Sequence, residues 1–302
     1  MDRFLYLMAC ATFVSACLAE DGKERSRRET VVWSLDSVPD TKIADDIIQS
    51  FGPLHQWGDD SISASTKHSE TRALRIYYKK GSYIKSNGPK GAGFFSTPCT
   101  IPANADVMTL KYDVYFENFG FGIGGKLPGL FGGENGEGAF KCSGGSNPPT
   151  CFSLRIVWRE NGAGEIYAYI PHNQMVGFYN RSDVIGHGHY GQSLGRGRIQ
   201  FKNNKWQTIT QEVHLNTVGS ADGWINVCVQ VEGESQQCYS ANNLIIRETD
   251  RDSLRGLFFS TFFGGSEPTY AAPNDSCTFF KNFQISVPDL NTTSTTSPVI
   301  VG

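Results

Sequence analysis

The sequence stretch SLRIVWRENGAGEIYAYI, residues 153–170, contains two segments in which apolar residues alternate with polar or aromatic ones. Every second residue is apolar from 154 to 158 and again from 166 to 170. This period of two is typical of β-strands that bury one face. The glycine-containing residues 160–165 between the segments predict a turn, so the stretch as a whole predicts an antiparallel hairpin.

The second face of this hairpin carries polar and aromatic side chains. A strand pairing that brings the apolar faces together also brings Ser153, Arg155, Tyr167 and Tyr169 together on the opposite face. These four residues are therefore candidates for a functional surface. The alternative is a solvent-facing sheet surface on which arginine packs over tyrosine without a specific role. The alternation by itself leaves both interpretations open.

Strand signals recur along the chain, which has 302 residues and is rich in glycine (33), phenylalanine (20) and tyrosine (12). We predict an all-β fold, a β-jelly-roll sandwich of two antiparallel sheets, in a single domain over residues 31–289. A short segment at 41–49 is the one helix candidate, and Trp158 is expected in the core. The predicted strands are Ala73–Tyr78, Val107–Phe116, Phe152–Trp158, Ile166–Ile170, Gln207–Leu215, Trp224–Val231, Leu257–Phe263 and Thr278–Val287.

The two ends of the chain differ in composition from this domain. Residues 1–19 combine Arg3, an apolar run and small residues near a cleavage position, which predicts a secretory signal peptide. Residues 20–30 form a polar leader, and residues 290–302 form a Thr/Ser-rich tail that we expect to be flexible. No later apolar run is long enough to span a membrane. We therefore expect a secreted, extracellular protein.

Six of the eight cysteines lie outside the predicted signal peptide. An even number in a secreted chain favours disulfides over zinc, and no Cys-x-x-Cys pair supports zinc. Cys142 and Cys151 flank a short loop, and we predict that they pair. The other cysteines leave several pairings open, among which we favour Cys228 with Cys238 and Cys99 with Cys277. Sequences for N-glycosylation, which also fit a secreted chain, occur at Asn180, Asn274 and Asn291.

Residues 118–133 contain seven glycines in sixteen positions and include Lys126. A nucleotide-binding loop is a poor interpretation, because the Lys-Ser/Thr ending of the phosphate-binding motif is absent and no helix signal follows. We predict a glycine-rich loop whose backbone adopts unusual dihedral angles, approaches its neighbours closely and presents Lys126 at a fixed point. The alternative is a mobile loop with a solvated lysine.

Several motifs in their order along the chain resemble the polysaccharide lyase 14 family, which includes secreted alginate lyases of marine molluscs and related enzymes of algal viruses. The resemblance implies a jelly roll with a cleft for acidic polysaccharide, an essential lysine, and Ser-x-Arg and Tyr-x-Tyr pairs lining that cleft. These positions match Lys126, Ser153, Arg155, Tyr167 and Tyr169. The motifs are GKLPGLFGG at 125–133, KCSGGS at 141–146, CFSLR at 151–155, YAY at 167–169 and GLFFSTFFGG at 256–265.

These residue types suit β-elimination in a polyuronate chain, which removes the proton on carbon 5 beside the carboxylate and expels the oxygen on carbon 4. Arg155 and Lys126 can neutralise the carboxylate. Both cations favour a tyrosine phenolate, so Tyr167 or Tyr169 can act as base and a tyrosine or Lys126 as acid. Which group plays which part stays open. Ser153 is expected to orient a substrate oxygen or a tyrosine.

The histidine pair at 187 and 189 raises the question of a metal site, but no third ligand follows nearby and we predict none. We expect His189 and Tyr190 to bind substrate at the rim of the cleft, and no cofactor is inferred. Glu160 and Glu165 are assigned to the hairpin turn, so the motifs lack the pair of carboxyl groups that hydrolysis requires. This favours elimination.

The net charge of −3 excludes a generally basic nucleic-acid-binding protein, but its distribution is uneven. Residues 126–205 contain nine basic and five acidic residues and carry a charge of +4, whereas the remainder carries −7. A basic segment around the candidate site suits capture of a polyanionic sugar chain. We expect a monomer that binds an acidic polysaccharide, alginate above all, and neither nucleic acid nor membrane.

Three functions remain in view. The first is a polyuronate lyase that acts on alginate and prefers mannuronate-rich chains, as the resemblance implies. The second is a lyase on another polyuronate, such as glucuronan, that uses the same site. The third is a non-catalytic, lectin-like carbohydrate-binding sandwich, which the lysine and the tyrosine pair argue against because a lectin needs no proton-transferring group.

Overall fold

The computed structural model describes residues 29–97, 101–102 and 105–289. In chain order its strands are β1 (Glu29–Leu35), β2 (Pro53–Trp57), β3 (Ile62–Ser65), β4 (Ala73–Tyr78), β5 (Gly91–Ser96), β6 (Val107–Glu117), β7 (Gly124–Gly133), β8 (Cys151–Arg159), β9 (Ala163–Tyr169), β10 (Val184–Ile185), β11 (Gln192–Gln200), β12 (Trp206–His214), β13 (Gly223–Val231), β14 (Gln237–Leu244), β15 (Ser253–Phe263) and β16 (Ser276–Pro288). The described helical elements are α1 (Ala44–Gln49) and short 3-10 turns at Asp59–Ser61, Glu137–Phe140, Glu160–Gly162, Phe178–Asn180 and Pro268–Tyr270.

The strands form two antiparallel sheets of eight strands each. Sheet A has the order β14-β13-β12-β6-β16-β4-β3, with β1 also paired to β16. Sheet B has the order β10-β11-β9-β8-β7-β15-β5-β2. The predicted all-β jelly-roll sandwich in a single domain is confirmed, and every predicted strand overlaps an observed one. The predicted helix is also present, although it begins at Ala44 rather than at residue 41.

The core between the sheets is rich in aromatic rings. Trp158 is fully buried there, as expected, and its indole N–H donates a hydrogen bond to the carbonyl oxygen of Phe121 at 2.8 Å. The rings of Phe119 and Phe263 lie 5.1 and 5.3 Å from it, centroid to centroid. Burial of these large apolar surfaces is the main driving force for closing the two sheets on each other.

The predicted glycine-rich loop is wrong over most of its length, because residues 124–133 form the central strand β7 of sheet B. Glycine is required there for close packing. A Cβ atom on Gly125 would lie 2.0 Å from the Trp158 ring, and one on Gly129 would lie 2.1 Å from the carbonyl oxygen of Leu154. Lys126 is therefore held by a strand that is paired on both sides.

One buried amide connects the two sheets at an irregularity of β7. The register of the β7–β8 pairing shifts at Pro128 and Gly129, where proline has no N–H to donate. From the opposite sheet, the fully buried Gln211 accepts a hydrogen bond from the Leu130 N–H at 2.8 Å. Its amide nitrogen donates to the carbonyl oxygen of Leu154 at 2.6 Å. The side chain of Gln211 thus bonds to the backbone of both strands at this irregularity.

The disulfides Cys142–Cys151 and Cys228–Cys238 are present, as predicted. Cys99 lies outside the described residues, so the third pairing is not described. Cys277 is buried, forms no disulfide with a described cysteine, and accepts a hydrogen bond at its Sγ from Arg75 Nη2 at 2.9 Å.

The signal peptide at 1–19, most of the polar leader at 20–30, the tail at 290–302 and Asn291 also lie outside the described residues. The two described glycosylation candidates, Asn180 and Asn274, are exposed. Within the described part of the chain, none of the helices is both long and apolar enough to cross a membrane.

We predict that Gln211→Leu destabilises the protein by about 3 kcal/mol, because the Leu130 N–H and the Leu154 carbonyl oxygen then stay buried without partners. Urea-induced unfolding measures the loss. Gln230→Leu is the matched control, since Gln230 is only half-buried and bonds to carbonyl oxygens of a surface turn. Equal losses of unfolding free energy in the two variants would contradict a stabilising role of the Gln211 hydrogen bonds between the sheets.

Candidate active site

The register between β8 and β9 pairs Ser153 with Tyr169 and Arg155 with Tyr167. The predicted hairpin therefore brings these four residues to one face, the outer face of sheet B. The face is not an ordinary solvent-exposed surface at this point, because Arg155 is 3 % exposed, Tyr167 8 % and Tyr169 2 %. An arginine and two tyrosines that are nearly buried on the open side of a sheet indicate a specific site.

Lys126 of the neighbouring strand β7 completes the cluster. It pairs with Val157 of β8 on one side and with Phe262 of β15 on the other. Its side chain is partly buried, and its Nζ lies 4.1 Å from the centroid of the Tyr167 ring. The amine and the phenol ring are thus in direct contact.

Arg155 is held in place by two aromatic rings. Its guanidinium carbon lies 4.5 Å from the Phe258 centroid and 5.8 Å from the Tyr169 centroid. One nitrogen, Nη1, donates to Ser260 Oγ at 3.3 Å. The Nε is buried without a hydrogen-bond partner among the described residues. Since a guanidinium has five N–H donors, Arg155 retains donors for an anionic group on this face.

Ser153 and Tyr169 hold the loop that the Cys142–Cys151 disulfide closes. Ser153 Oγ donates to the carbonyl oxygen of Cys142 at 2.6 Å, and the Tyr169 hydroxyl accepts from the Gly145 N–H at 3.0 Å. In the structure, what the hydroxyl of Ser153 orients is therefore this loop and not a tyrosine. The loop in turn forms one wall of the site.

The assignment of Glu165 to the hairpin turn is wrong, because β9 begins at Ala163 and Glu165 lies within it, 1 % exposed. Its carboxylate accepts hydrogen bonds from Arg159 Nε at 2.9 Å, Arg196 Nε at 2.5 Å and Ser193 Oγ at 2.8 Å. His187 Nε2 lies 2.9 Å from the same serine oxygen. Glu165 is therefore the centre of a buried polar network beside Lys126.

This network could have been found from the sequence. Glu165 has the same parity as Tyr167 and Tyr169, so the alternation that placed the tyrosines on the outer face extends to the carboxylate. The strand register adds Ser193, which pairs with Tyr167 across β11 and β9. No signal in the sequence connects Arg196 with Glu165.

Burial changes the pKa values of the site. It lowers the pKa of the Lys126 amine well below the ordinary 10.5, and the charges of Arg155 and Arg159 lower it further, against the opposing effect of Glu165. Burial also lowers the pKa of Arg155 to about 10. For Tyr167, burial raises the pKa above its ordinary value and outweighs the nearby cations. The cations Arg155 and Arg159 therefore lower the pKa of this tyrosine, as expected, but by less than burial raises it.

The pKa of Glu165 shifts in the direction opposite to that of an unpaired buried carboxyl group. Burial raises its pKa, but hydrogen bonds and charges from Arg159 and Arg196 outweigh burial and hold the pKa below its usual value. The carboxylate is therefore ionised at neutral pH and compensates part of the positive charge around Lys126.

His189 and Tyr190 are exposed on the turn that precedes β11. Tyr190 lies beside the disulfide-closed loop, since a Cβ atom on Gly145 would be 3.2 Å from its ring. This places it at the edge of the cluster that contains Tyr169. Within the described residues, no group of three or more His, Cys, Asp or Glu side chains is placed to hold a metal ion.

The profile of the polysaccharide lyase 14 family matches residues 66–283 of this chain. The chain therefore belongs to the polysaccharide lyase 14 family, and the resemblance of its motifs to that family is confirmed.

Solved structures agree with this assignment. The marine PL-14 alginate lyase from Aplysia kurodai, whose crystal structure is known, is 65 % identical to this chain. The alignment covers 86 % of this chain and 100 % of that chain, with a TM-score of 0.85. The alginate lyase vAL-1 from Chlorella virus is 22 % identical over 85 % of this chain and 100 % of that chain, with a TM-score of 0.64, and shares the fold.

A curated relative is a larger protein. Exolysin of Paramecium bursaria Chlorella virus 1 is 26 % identical over 206 residues, which cover 62 % of this chain and 30 % of that protein. The chain thus spans less than a third of the length of this viral relative.

We predict that Glu165→Gln destabilises the fold by about 3 kcal/mol at neutral pH, because two arginines lose the buried charge that compensates them. The folded-state pKa of Glu165 is lowered, so its contribution is fully present above the unfolded pKa and disappears as the pH falls through the folded pKa. Thermal and urea unfolding across acidic pH should show the two proteins converge at low pH. A constant difference down to strongly acidic pH would contradict this.

Proposed function

We propose that this chain is a polysaccharide lyase that cleaves alginate, with a preference for mannuronate-rich chains, by β-elimination and leaves 4,5-unsaturated uronate ends. The observation that carries the proposal is the convergence of Lys126, Arg155 and Tyr167 on one sheet face, with the Lys126 amine 4.1 Å from the Tyr167 ring. The high sequence identity to the Aplysia kurodai alginate lyase supports alginate as the substrate.

Elimination at carbon 5 of a uronate places specific demands on a site. The carboxylate beside carbon 5 makes the C–H bond weakly acidic, so its charge must be neutralised as negative charge develops. Arg155 suits this task because it is rigidly held by Phe258 and Ser260 and retains unpaired donors. A preorganised cation of this kind stabilises charge in the transition state without reorganising.

The directions of the pKa shifts support a division in which Lys126 is the base and Tyr167 the acid. The lowered pKa of Lys126 favours a neutral amine, which can accept the proton from carbon 5. The raised pKa of Tyr167 keeps its phenol protonated, so it can donate a proton to the departing oxygen on carbon 4. Lys126 then carries one extra proton and Tyr167 lacks one, and transfer between the neighbouring groups restores the resting state.

The same face is poorly suited to hydrolysis. Hydrolysis of a glycosidic bond uses a protonated carboxyl group as acid and a second carboxylate as base or nucleophile. Glu165 is the carboxylate that lies beside Lys126, and two arginines hold its pKa below the usual value. It is therefore a charge-balancing and positioning group, and it lacks the properties of a general acid.

We further propose that the protein acts outside the cell. Its two disulfides fit an oxidising compartment, and exposed Asn180 and Asn274 are accessible to glycosylation. In this proposal residues 1–19 are the signal peptide, residues 31–289 form the catalytic domain, and the segments 20–30 and 290–302 flank it. His189 and Tyr190 contribute to substrate binding at the edge of the site, and the protein acts as a monomer.

We predict that Lys126→Ala reduces turnover on polymannuronate by at least about 10³-fold while the protein remains folded, because the site loses its base. The measurement is ultraviolet absorbance of unsaturated ends, with polymannuronate, polyguluronate and glucuronan as parallel substrates. Lys141→Ala is the control, since Lys141 is an exposed lysine outside the cluster. If wild-type protein releases no unsaturated ends from any of the three polymers, the proposed function is wrong.

We predict that kcat/KM rises with pH through an apparent pKa well below the lysine value of 10.5, because the amine of Lys126 must be neutral to accept a proton. Glu165→Gln removes a negative charge that raises the pKa of Lys126, so the rise of kcat/KM should occur at lower pH in this variant. Lys126→Arg should be inactive at every pH, whereas Tyr167→Phe should lose turnover and keep binding. If kcat/KM rises at the same pH in Glu165→Gln as in the wild type, Lys126 is not the group whose titration controls activity.

A further inference from the structure

A second basic segment lies outside the region of positive charge around Lys126. The loop that joins β4 to β5, residues 79–90 (KKGSYIKSNGPK), contains four lysines and no acidic residue. One of them, Lys90, is anchored by a hydrogen bond from Nζ to the carbonyl oxygen of Ser86 at 2.8 Å. The loop is thus a locally ordered cationic surface at one end of sheet B.

This loop and the edge strand β2 enclose a cavity of about 490 Å³. Trp57 provides one wall and Ile84 a second apolar contact, while Asn87 and Lys90 contribute polar groups from the loop. Asp60 also lines the cavity and offers oxygen atoms that can accept hydrogen bonds. A tryptophan face next to an amide, an ammonium and a carboxylate matches the apolar ring face and the polar edge of a sugar.

A row of residue contacts on the outer face of sheet B links the cavity to the candidate active site. Phe262 of β15 pairs with Lys126 on one side, and its ring contacts Trp57 at 5.8 Å on the other. Trp57 lies over Gly93, where a Cβ atom would be 2.5 Å from the indole nitrogen. The strand order β7-β15-β5-β2 places Trp57 three strands away from Lys126, or ~14 Å.

We propose that this cavity is a distal subsite that binds a uronate unit of the same polysaccharide chain whose cleavage occurs at Lys126. Trp57 stacks on the pyranose ring, and Lys90, the loop lysine that lines the cavity, attracts the carboxylate. The proposal rests on the proposed function, since it assumes a polyuronate at Lys126. The positive charge of Lys90 suits a polyanion, and the contacts from Lys126 through Phe262 to Trp57 link the two sites.

A subsite this far from the reacting bond affects long and short substrates differently. A polymer that reaches both Lys126 and Trp57 gains binding energy from the distal contact, whereas a trisaccharide bound at Lys126 gains little. The subsite therefore makes the protein selective for chain length, and not for the chemistry at carbon 5.

The test compares kcat/KM on polymannuronate with kcat/KM on a mannuronate trisaccharide. For Trp57→Ala we expect the polymer-to-trisaccharide ratio to fall about tenfold, mainly through KM on the polymer, and Trp57→Phe should recover most of it. Trp224→Ala is the matched control, because Trp224 is a partly exposed tryptophan on β13 of the other sheet, where it packs on His214. The polymer-to-trisaccharide ratio of Trp224→Ala should equal that of the wild type.

A second variant covers the case in which Trp57→Ala fails to fold. Lys90→Gln keeps a donor for the Ser86 carbonyl oxygen and removes the charge, and it should lower the ratio severalfold, with a weaker dependence on salt. An unchanged ratio in both Lys90→Gln and the folded Trp57 variant overturns the subsite. Wild-type protein that cleaves no polyuronate overturns the proposed function instead, so the two failures are distinguishable.

Discussion

The hydrogen bonds of Gln211 across the interior are the constraint on which the site depends. Pro128 and Gly129 break the ladder of β7 directly after the strand segment that carries Lys126, and a break of this kind leaves polar backbone groups buried. The amide of Gln211 satisfies the Leu130 N–H and the Leu154 carbonyl oxygen, the latter next to Arg155. One side chain from the opposite sheet therefore holds the strands of both cations in a single relative position.

The second constraint is electrostatic. Lys126 and Arg155 lie close together on a face that largely excludes water, an arrangement that burial and mutual repulsion both oppose. The carboxylate of Glu165, fixed by Arg159 and Arg196, compensates part of this charge on the same face. The balance lowers the pKa of Lys126, and burial raises that of Tyr167, which fits the division of roles proposed for them in β-elimination.

Where local pattern and packing agree, the sequence predicted the structure well. The alternation at 153–170 placed Arg155 and Tyr167 opposite each other, because a period of two allows few registers that bury the apolar face. The glycine-rich segment was misassigned to a loop, since glycine disfavours strands by its own propensity. Its glycines are instead required by neighbours far along the chain, such as Trp158 against Gly125. No local sequence pattern indicates the cationic loop beside Trp57, because its partners are also distant in sequence.

The sequence by itself determined the all-β class, the family, the Cys142–Cys151 disulfide and the identity of the residues on the outer face of the hairpin. These follow from alternation, composition and motifs, which are local properties of the chain. Only the tertiary structure decided the pKa shifts of Lys126 and Tyr167, the ion pairs of Glu165 and the row of contacts from Lys126 to Trp57. A pKa depends on burial and on charges that approach from other strands, and a cleft is formed by strands that are neighbours in the sheet and not in the sequence.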